Sequence, residues 1–144
     1  MKELAKIIRV ARGQMQPDLV LKNARIVNVF SAEVYPGDIA ILGERIVGVG
    51  EGYKGKKEID LERGFVLPGL IDGHMHIESG MLTPAEFAAA VIPHGTTTMF
   101  TDPHEIANVL GLRGVRLMHD EALMQPVNIF TQMPSCAPSA PGLE

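Results

Sequence analysis

The sequence predicts an α/β protein in which a small antiparallel sheet is followed by parallel βα units. Two observations support this fold class. Before residue 66 the chain consists of short apolar runs separated by turn residues, and after it strand-like runs alternate with helical segments. Alternation of strands and helices is typical of parallel βα units. We therefore expect two parts, residues 1–66 and residues 67–144.

The first part opens with a predicted amphipathic helix, because apolar residues recur at helical spacing from Leu4 to Ala11. Turns are expected at Asn23 and at Pro36-Gly37-Asp38, and a hairpin at Gly43-Glu44-Arg45. The apolar runs between these turns predict five short strands: Leu19–Leu21, Arg25–Phe30, Ile39–Leu42, Ile46–Val49 and Ile59–Leu61.

The second part contains three predicted βα units. Its strands are expected at Phe65–Ile71, Thr96–Thr101 and Val127–Gln132, and its helices at Pro84–Ile92, Glu105–Leu110 and Gly114–Met124. A (β/α)₈ barrel needs eight strands and roughly 250 residues, and three strands alone leave apolar edges open. We expect the natural protein to continue beyond residue 144. The alternative is a small self-contained three-layer domain.

Composition excludes several classes of protein. The chain is 46% hydrophobic and 21% charged, with a formal net charge of −4, which is typical of a globular protein and disfavours nucleic-acid binding. The single cysteine, Cys136, allows no disulfide within the chain. No apolar run approaches the ~20 residues of a membrane span, and the N-terminus lacks the features of a secretory signal. We expect a cytoplasmic protein that binds neither nucleic acid nor membrane.

The most informative motif is the run PGLIDGHMHIE at residues 68–78. Residues two apart on a strand point to the same side, so His74, His76 and potentially Glu78 can face one point. Two imidazoles and a carboxylate suit a divalent metal such as zinc, iron or manganese. The preceding apolar run predicts a buried strand with these ligands at its C-terminal end. Asp72 is expected either to orient a histidine or to cap a turn, and the sequence does not choose.

A second polar cluster follows the next predicted strand, in the run TDPHEIAN at residues 101–108. Pro103 biases Asp102 toward an extended conformation, and if the segment stays extended Asp102 and His104 share a face. Glu105 would then begin the next helix, where the helix dipole favours a carboxylate. The functional interpretation is a second cluster at the same strand ends. The alternative is a helix-capping segment with a surface histidine.

The third strand runs into MPSCAP at residues 133–138, where Ser135 and Cys136 are interpreted as buried or pocket-lining residues rather than nucleophiles. His94 and His119 lie in helical segments and are expected to be exposed or helix-terminal.

Taken together, these motifs resemble those of adenine deaminases in the amidohydrolase superfamily. The run at 68–76 resembles the first-strand metal motif that the superfamily shares, including dihydroorotases and hydantoinases. The runs HMHIES at 74–79, GTTT at 95–98 with DPHEIANV at 102–109, and MPSCAP at 133–138 resemble segments of adenine deaminases. The runs at 10–13 and 18–25 resemble the N-terminus of that family. The resemblance extends over essentially the whole chain.

The resemblance implies the first part of a metal-dependent-hydrolase (β/α)₈ TIM-like barrel, preceded by the N-terminal half of a small β-sandwich domain. It implies a hydrolase that uses a metal-activated hydroxide to deaminate adenine to hypoxanthine and ammonia in purine salvage. The centre would be binuclear, with manganese, iron or zinc, and the complete enzyme a homo-oligomer. His74 and His76 would bind metal, and Glu78, Asp102, His104 and Glu105 would act as catalytic groups, further ligands or substrate contacts.

The family's other site residues lie on later strands, so 144 residues alone are expected to be inactive. Two alternatives remain: a cyclic-amide amidohydrolase of the dihydroorotase or hydantoinase kind, and a non-enzymatic module that binds a partner through its sheet.

Overall fold

The computed structural model describes residues 2–135. They form two compact units, divided between Pro68 and Gly69, and each unit has its own sheet. Cys136 lies outside the described residues. Within residues 2–135, no helix is both long enough and apolar enough to cross a bilayer.

The first unit is a mixed five-stranded sheet with one helix. Helix α1 is followed by five strands in the order β3-β2-β1-β4, with β5 also paired to β1. Strand β2 is antiparallel to β1 and β3, whereas β4 and β5 run parallel to β1, so the expected antiparallel sheet is only partly confirmed. The elements are α1 (Lys2–Ala11), β1 (Leu19–Asn28), β2 (Glu33–Leu42), β3 (Arg45–Gly50), β4 (Lys57–Asp60) and β5 (Phe65–Val66).

The predicted turn at Pro36-Gly37-Asp38 is wrong, because these residues lie inside β2. The chain reverses earlier, after Asn28, whose Oδ1 accepts hydrogen bonds from the backbone N–H groups of Phe30 and Ser31 at 3.0 and 3.3 Å. Strand β3 pairs with β2 only from Asp38 onward, so at Pro36 strand β2 has no neighbour on that side among the described residues. A proline is tolerated at such a place because no ladder hydrogen bond is lost there.

Strand β1 is continuous where two strands were predicted. Asn23 does not end the strand but lies at a register shift between Leu21 and Ala24, with a φ of 56°. Asparagine tolerates this left-handed conformation better than most residues, and the extra residue forms a bulge. A turn-forming residue therefore produces an irregularity within the strand rather than a break.

The second unit has the predicted alternation of parallel strands and helices. Its strands are β6 (Leu70–Met75), β7 (Thr96–Thr101) and β8 (Asn128–Thr131), and its helices are α2 (Pro84–Val91), α3 (His104–Leu110) and α4 (Leu112–Ala122). The strands are parallel and lie in the order β6-β7-β8. This confirms the prediction of α/β units. The core consists of Ile77, Ala88, Met99, Met118, Ala122 and Ile129.

Strand β6 is not buried, contrary to the expectation from its apolar sequence. Leu70 and Ile71 are 51% and 67% exposed. The reason is position, because β6 is an edge strand with β7 as its single neighbour within the described part of the chain. An apolar run specifies that a strand can be buried, but only neighbouring elements bury it.

Candidate metal centre

The carboxyl ends of β6 and β7 bring the first candidate ligands together. Strand β6 ends at Met75 and β7 at Thr101, and Asp102 continues the pairing by donating its backbone N–H to the Met75 carbonyl at 2.9 Å. Because parallel neighbours end at the same edge of a sheet, His74, His76 and Asp102 meet there. One ligand atom from each of the three lies within 4.8 Å of the other two.

His74 and His76 point their Nε2 atoms at each other across 3.2 Å, with the rings nearly perpendicular. Two metal–nitrogen bonds of about 2.1 Å span at most about 4.2 Å, so this separation fits one cation bound by both rings. The predicted convergence of the two imidazoles is therefore present in the structure.

The protonation of His76 is fixed by the backbone. Its Nδ1 lies 2.6 Å from the carbonyl oxygen of Asp102. A carbonyl can only accept, so Nδ1 carries the hydrogen and the lone pair of the neutral ring lies on Nε2, toward His74. This is the tautomer that a metal bound at Nε2 requires.

Asp72 caps the local turn. Its Oδ1 accepts a hydrogen bond from the backbone N–H of His74 at 3.1 Å. Of the two roles that the sequence left open, the structure therefore supports the one at the backbone.

His104 and Glu105 form a second group at the start of α3, next to the first. The His104 ring packs edge-on against His76 with 4.5 Å between centroids, and its Nδ1 lies 3.8 Å from Asp102 Oδ2. Glu105 Oε2 lies 4.0 Å from His76 Nδ1. Ligand atoms of His76, His104 and Glu105 lie within 4.8 Å of one another. His104 is half-buried and faces this cluster, so the surface-histidine alternative does not describe it.

Glu78 does not lie on the same face as the two histidines, because the strand ends before it. Ile77 has helical dihedrals and is fully buried, and Glu78 begins a 3₁₀ turn over Glu78–Gly80. The Glu78 carboxylate instead reaches the start of α3, where Oε1 accepts from the backbone N–H of Ile106 at 3.5 Å. The strand alternation used for the sequence interpretation does not extend to residue 78.

The carboxyl groups of Glu78 and Glu105 have opposite pKa shifts. Burial raises the pKa of Glu78 above its ordinary value, and the neighbouring Glu105 carboxylate raises it further. Burial also acts on Glu105, but the hydrogen bond from Ser79 outweighs it and lowers the pKa of Glu105. Glu105 is therefore the member of the pair that ionises first.

Ser79 is a residue that sequence reasoning missed. Its Oγ donates a hydrogen bond to Glu105 Oε1. The nearest sequence signal was the serine in the run HMHIES, which has no chemical meaning until the 3₁₀ turn places it beside α3. Of the remaining candidates, Ser135 is exposed, and the prediction that His94 and His119 are exposed is confirmed.

Unpaired polar atoms test whether the cluster fits a metal ion. Four buried atoms have no hydrogen-bond partner among the described residues: Glu78 Oε2, Asp102 Oδ1, His104 Nδ1 and Glu105 Oε2. Buried polar atoms are normally paired, so several unpaired ones in one place need an explanation. Imidazole nitrogens and carboxylate oxygens are the donors that zinc, iron and manganese take. The residues present therefore fit a divalent cation.

Comparison with known proteins relates this arrangement to one family. Residues 65–143 match the amidohydrolase family. The chain is similar to an adenine deaminase of Ruegeria sp. (strain TM1040), with 67% identity over 145 residues, and to one of Ruegeria pomeroyi, with 63% identity over 145 residues. In both cases the alignment covers 96% of this chain and 24% of the relative. The chain thus spans about a quarter of the length of these relatives.

Among solved structures, the fold is similar to that of a prolidase in complex with N-methylphosphonate-L-proline. The TM-score is 0.53 at 21% identity, covering 78% of this chain and 31% of the prolidase. At this identity the similarity concerns the fold alone, and it agrees with the βα units described above.

Proposed function

The chain belongs to the amidohydrolase family, and from that premise we propose that it forms part of a metal-dependent enzyme that deaminates adenine to hypoxanthine and ammonia. The observation that carries the proposal is the pair His74 and His76 at the strand ends, with Nε2 atoms 3.2 Å apart and Asp102 beside them. The similarity to adenine deaminases over 96% of the chain supports adenine as the substrate.

We propose that His74 and His76 hold a divalent cation through Nε2, with manganese, iron or zinc as the candidates. When bound, such an ion supplies Lewis acidity and lowers the pKa of water from 15.7 to about 7, which makes a nucleophile available near neutral pH. A binuclear centre, as the family resemblance implies, is part of the proposal.

The residues of this chain prepare the site in three ways. The Asp102 carbonyl holds His76 in the tautomer that leaves Nε2 free. Ser79 orients Glu105, and Ile106 orients Glu78, so both carboxyl groups are fixed beside the histidines. Asp102, His104 and Glu105 supply ionisable groups for contacts with metal or substrate. The proton that the departing amine requires would come from a carboxyl group, because ammonia leaves more easily than amide ion.

The architecture and setting of the complete protein remain predictions. We propose that residues 1–66 contribute to a β-sandwich and residues 67–144 to a (β/α)₈ barrel. We further propose that the enzyme is a cytoplasmic homo-oligomer that contacts neither nucleic acid nor membrane.

The direct test is ammonia release from adenine by the full-length protein loaded in turn with manganese, iron and zinc. Turnover that is abolished in the His74→Ala and His76→Ala variants supports the proposal. Hydrolysis of a cyclic amide without adenine turnover would assign the protein to the dihydroorotase or hydantoinase kind. Absence of any turnover and of any bound metal would favour the non-enzymatic binding module.

A further inference from the structure

A second cation position lies beside the histidine pair, at the start of α3. We propose that His104 and Glu105 bind this second divalent cation, and that Ser79 is a positioning residue that holds Glu105 in place for it. The inference rests on the proposed function, because it assumes that the histidine pair binds metal. It goes further by assigning a second ion to residues that follow β7.

The first argument is that His76 cannot serve both positions with the same atom. Its Nε2 faces His74 at 3.2 Å, and its Nδ1 donates to the Asp102 carbonyl. With both nitrogens engaged, His76 belongs to the first position. A cation near α3 must therefore take its ligands from other residues.

The second argument is that the side chains after β7 have free ligand atoms. His104 Nδ1 and Glu105 Oε2 are buried and lack a hydrogen-bond partner among residues 2–135. An unpaired buried carboxylate oxygen costs free energy, and a cation placed between it and an imidazole nitrogen removes that cost. Asp102 Oδ2 lies 3.8 Å from His104 Nδ1, within the span of about 4.2 Å available to two bonds of 2.1 Å.

The third argument concerns the other oxygen of Glu105. Oε1 accepts the hydrogen bond from Ser79, which leaves Oε2 as the free oxygen and points it toward His76. A carboxylate with one oxygen anchored and the other free is the arrangement by which outer partners orient a metal ligand. The anchoring residue belongs to the 3₁₀ turn that directly follows the histidine pair, so both positions are built from adjoining segments.

The two positions are close enough to interact. The rings of His76 and His104 are in edge contact at 4.5 Å between centroids. Two-metal sites in hydrolases hold their ions about 3.5–4 Å apart. Two Mn²⁺ ions at such a distance couple magnetically, and this can be measured without any turnover.

The experiment measures bound Mn²⁺ per chain and its electron paramagnetic resonance spectrum in the full-length protein and in its variants. We expect His104→Ala and Glu105→Gln each to lose about one equivalent of Mn²⁺ and to replace a coupled spectrum with that of isolated ions. Ser79→Ala should weaken the second equivalent about 10-fold, and Ser79→Thr, which keeps the hydroxyl, should restore it. Exposed His94→Ala and Glu86→Gln serve as matched controls and should keep every equivalent.

Full metal content and an unchanged coupled spectrum in both His104→Ala and Glu105→Gln would overturn the inference. Glu105→Gln preserves the shape of the side chain, so a loss of metal in that variant with an unchanged circular dichroism spectrum cannot be attributed to unfolding. The ammonia assay separates the two proposals. Loss of the second ion in a protein that does not deaminate adenine would leave the second position standing while the proposed substrate failed.

Discussion

The two units each place an aspartate beside a cation-binding or cationic partner, but they treat it in opposite ways. In the first unit, Asp38 is 6% exposed and accepts hydrogen bonds from the Lys22 ammonium and from the backbone N–H groups of Asn23 and Gly52, the latter two at 3.2 and 3.3 Å. In the second unit, Asp102 Oδ1 has no partner within the described part of the chain.

The difference separates a structural carboxylate from a binding one. The acceptors of Asp38 are satisfied by groups of its own unit, and Lys22 also donates to the Tyr53 carbonyl at 3.2 Å. Nothing in that arrangement asks for a ligand. Around Asp102 and Glu105 the free atoms outnumber the protein donors, which is the state expected of a site completed by a cation. Satisfaction of hydrogen bonds, rather than the number of charges, distinguishes the two.

The largest effect is expected from removal of a ligand in the unsatisfied cluster. His76→Ala should reduce metal affinity and kcat/KM for adenine by more than about 100-fold, because it deletes a direct ligand, whereas loss of an outer partner costs 10- to 100-fold. Metal analysis and the ammonia assay on the full-length protein provide the measurement. The exposed His94→Ala should match wild type, and a similar loss in both variants would contradict the assignment.

In the satisfied cluster the expected effect is on stability alone. Asp38→Ala should lower the free energy of unfolding by about 2 kcal/mol, since it leaves the half-buried Lys22 charge and two backbone donors without their acceptor. Urea unfolding measures this change. Asp18 makes an exposed pair with Lys56 at 2.7 Å, so Asp18→Ala is the control and should cause a much smaller loss. Equal losses would show that the burial of Asp38 does not matter.

A smaller effect is expected from the hydrogen bond that orients Glu105. For Ser79→Ala, thermal unfolding should stay close to wild type, because the serine is exposed, while metal affinity falls about 10-fold. Isothermal titration with Mn²⁺ beside a melting curve separates the two quantities. A lowered melting temperature with unchanged affinity would make Ser79 a structural residue only.

The smallest effect concerns pH and sharpens the interpretation of Asp38. Burial acts to raise its pKa, but the hydrogen bonds from Lys22 and Asn23 outweigh it, so the pKa lies below the ordinary 3.8. A lowered pKa in the folded state means that the stabilisation is present above the unfolded value and is lost as pH falls through the folded value. Between about pH 5 and pH 3, wild type should therefore lose more stability than Asp38→Ala does. Parallel urea curves for the two proteins would contradict this.

Local patterns predicted some elements closely. Strand β7 is observed at Thr96–Thr101, the residues predicted from β-branched composition, and α2 begins at Pro84 as predicted. Both elements have boundaries that adjacent residues specify, because Thr83 and Glu86 join through hydrogen bonds at the start of α2 and Gly95 adopts a φ of 92° just before β7. Such boundaries need no information from the rest of the chain.

The failures arose where tertiary context decides. Pro36-Gly37-Asp38 has the composition of a turn, but pairing with β1 keeps it in a strand. The apolar sequence of β6 indicates burial, which depends on a second neighbouring strand rather than on β6 itself. For the site, period-two alternation placed His74 and His76 correctly and failed at Glu78, because a buried Ile77 turns the chain into a 3₁₀ helix. The contacts of Ser79 and His104 depend on how two loops pack, which no local pattern contains.

The hydrogen bond between His76 and residue 102 is made to a main-chain carbonyl, and every amino acid has one. Exchanging the side chain at position 102 therefore leaves the acceptor in place, as long as the backbone path is kept. The same position performs two separable tasks, one encoded by the path of the chain and one by the carboxylate. Substitutions there can alter which ions or substrates are preferred without disturbing the protonation pattern of the neighbouring imidazole, which leaves that side chain free to diverge.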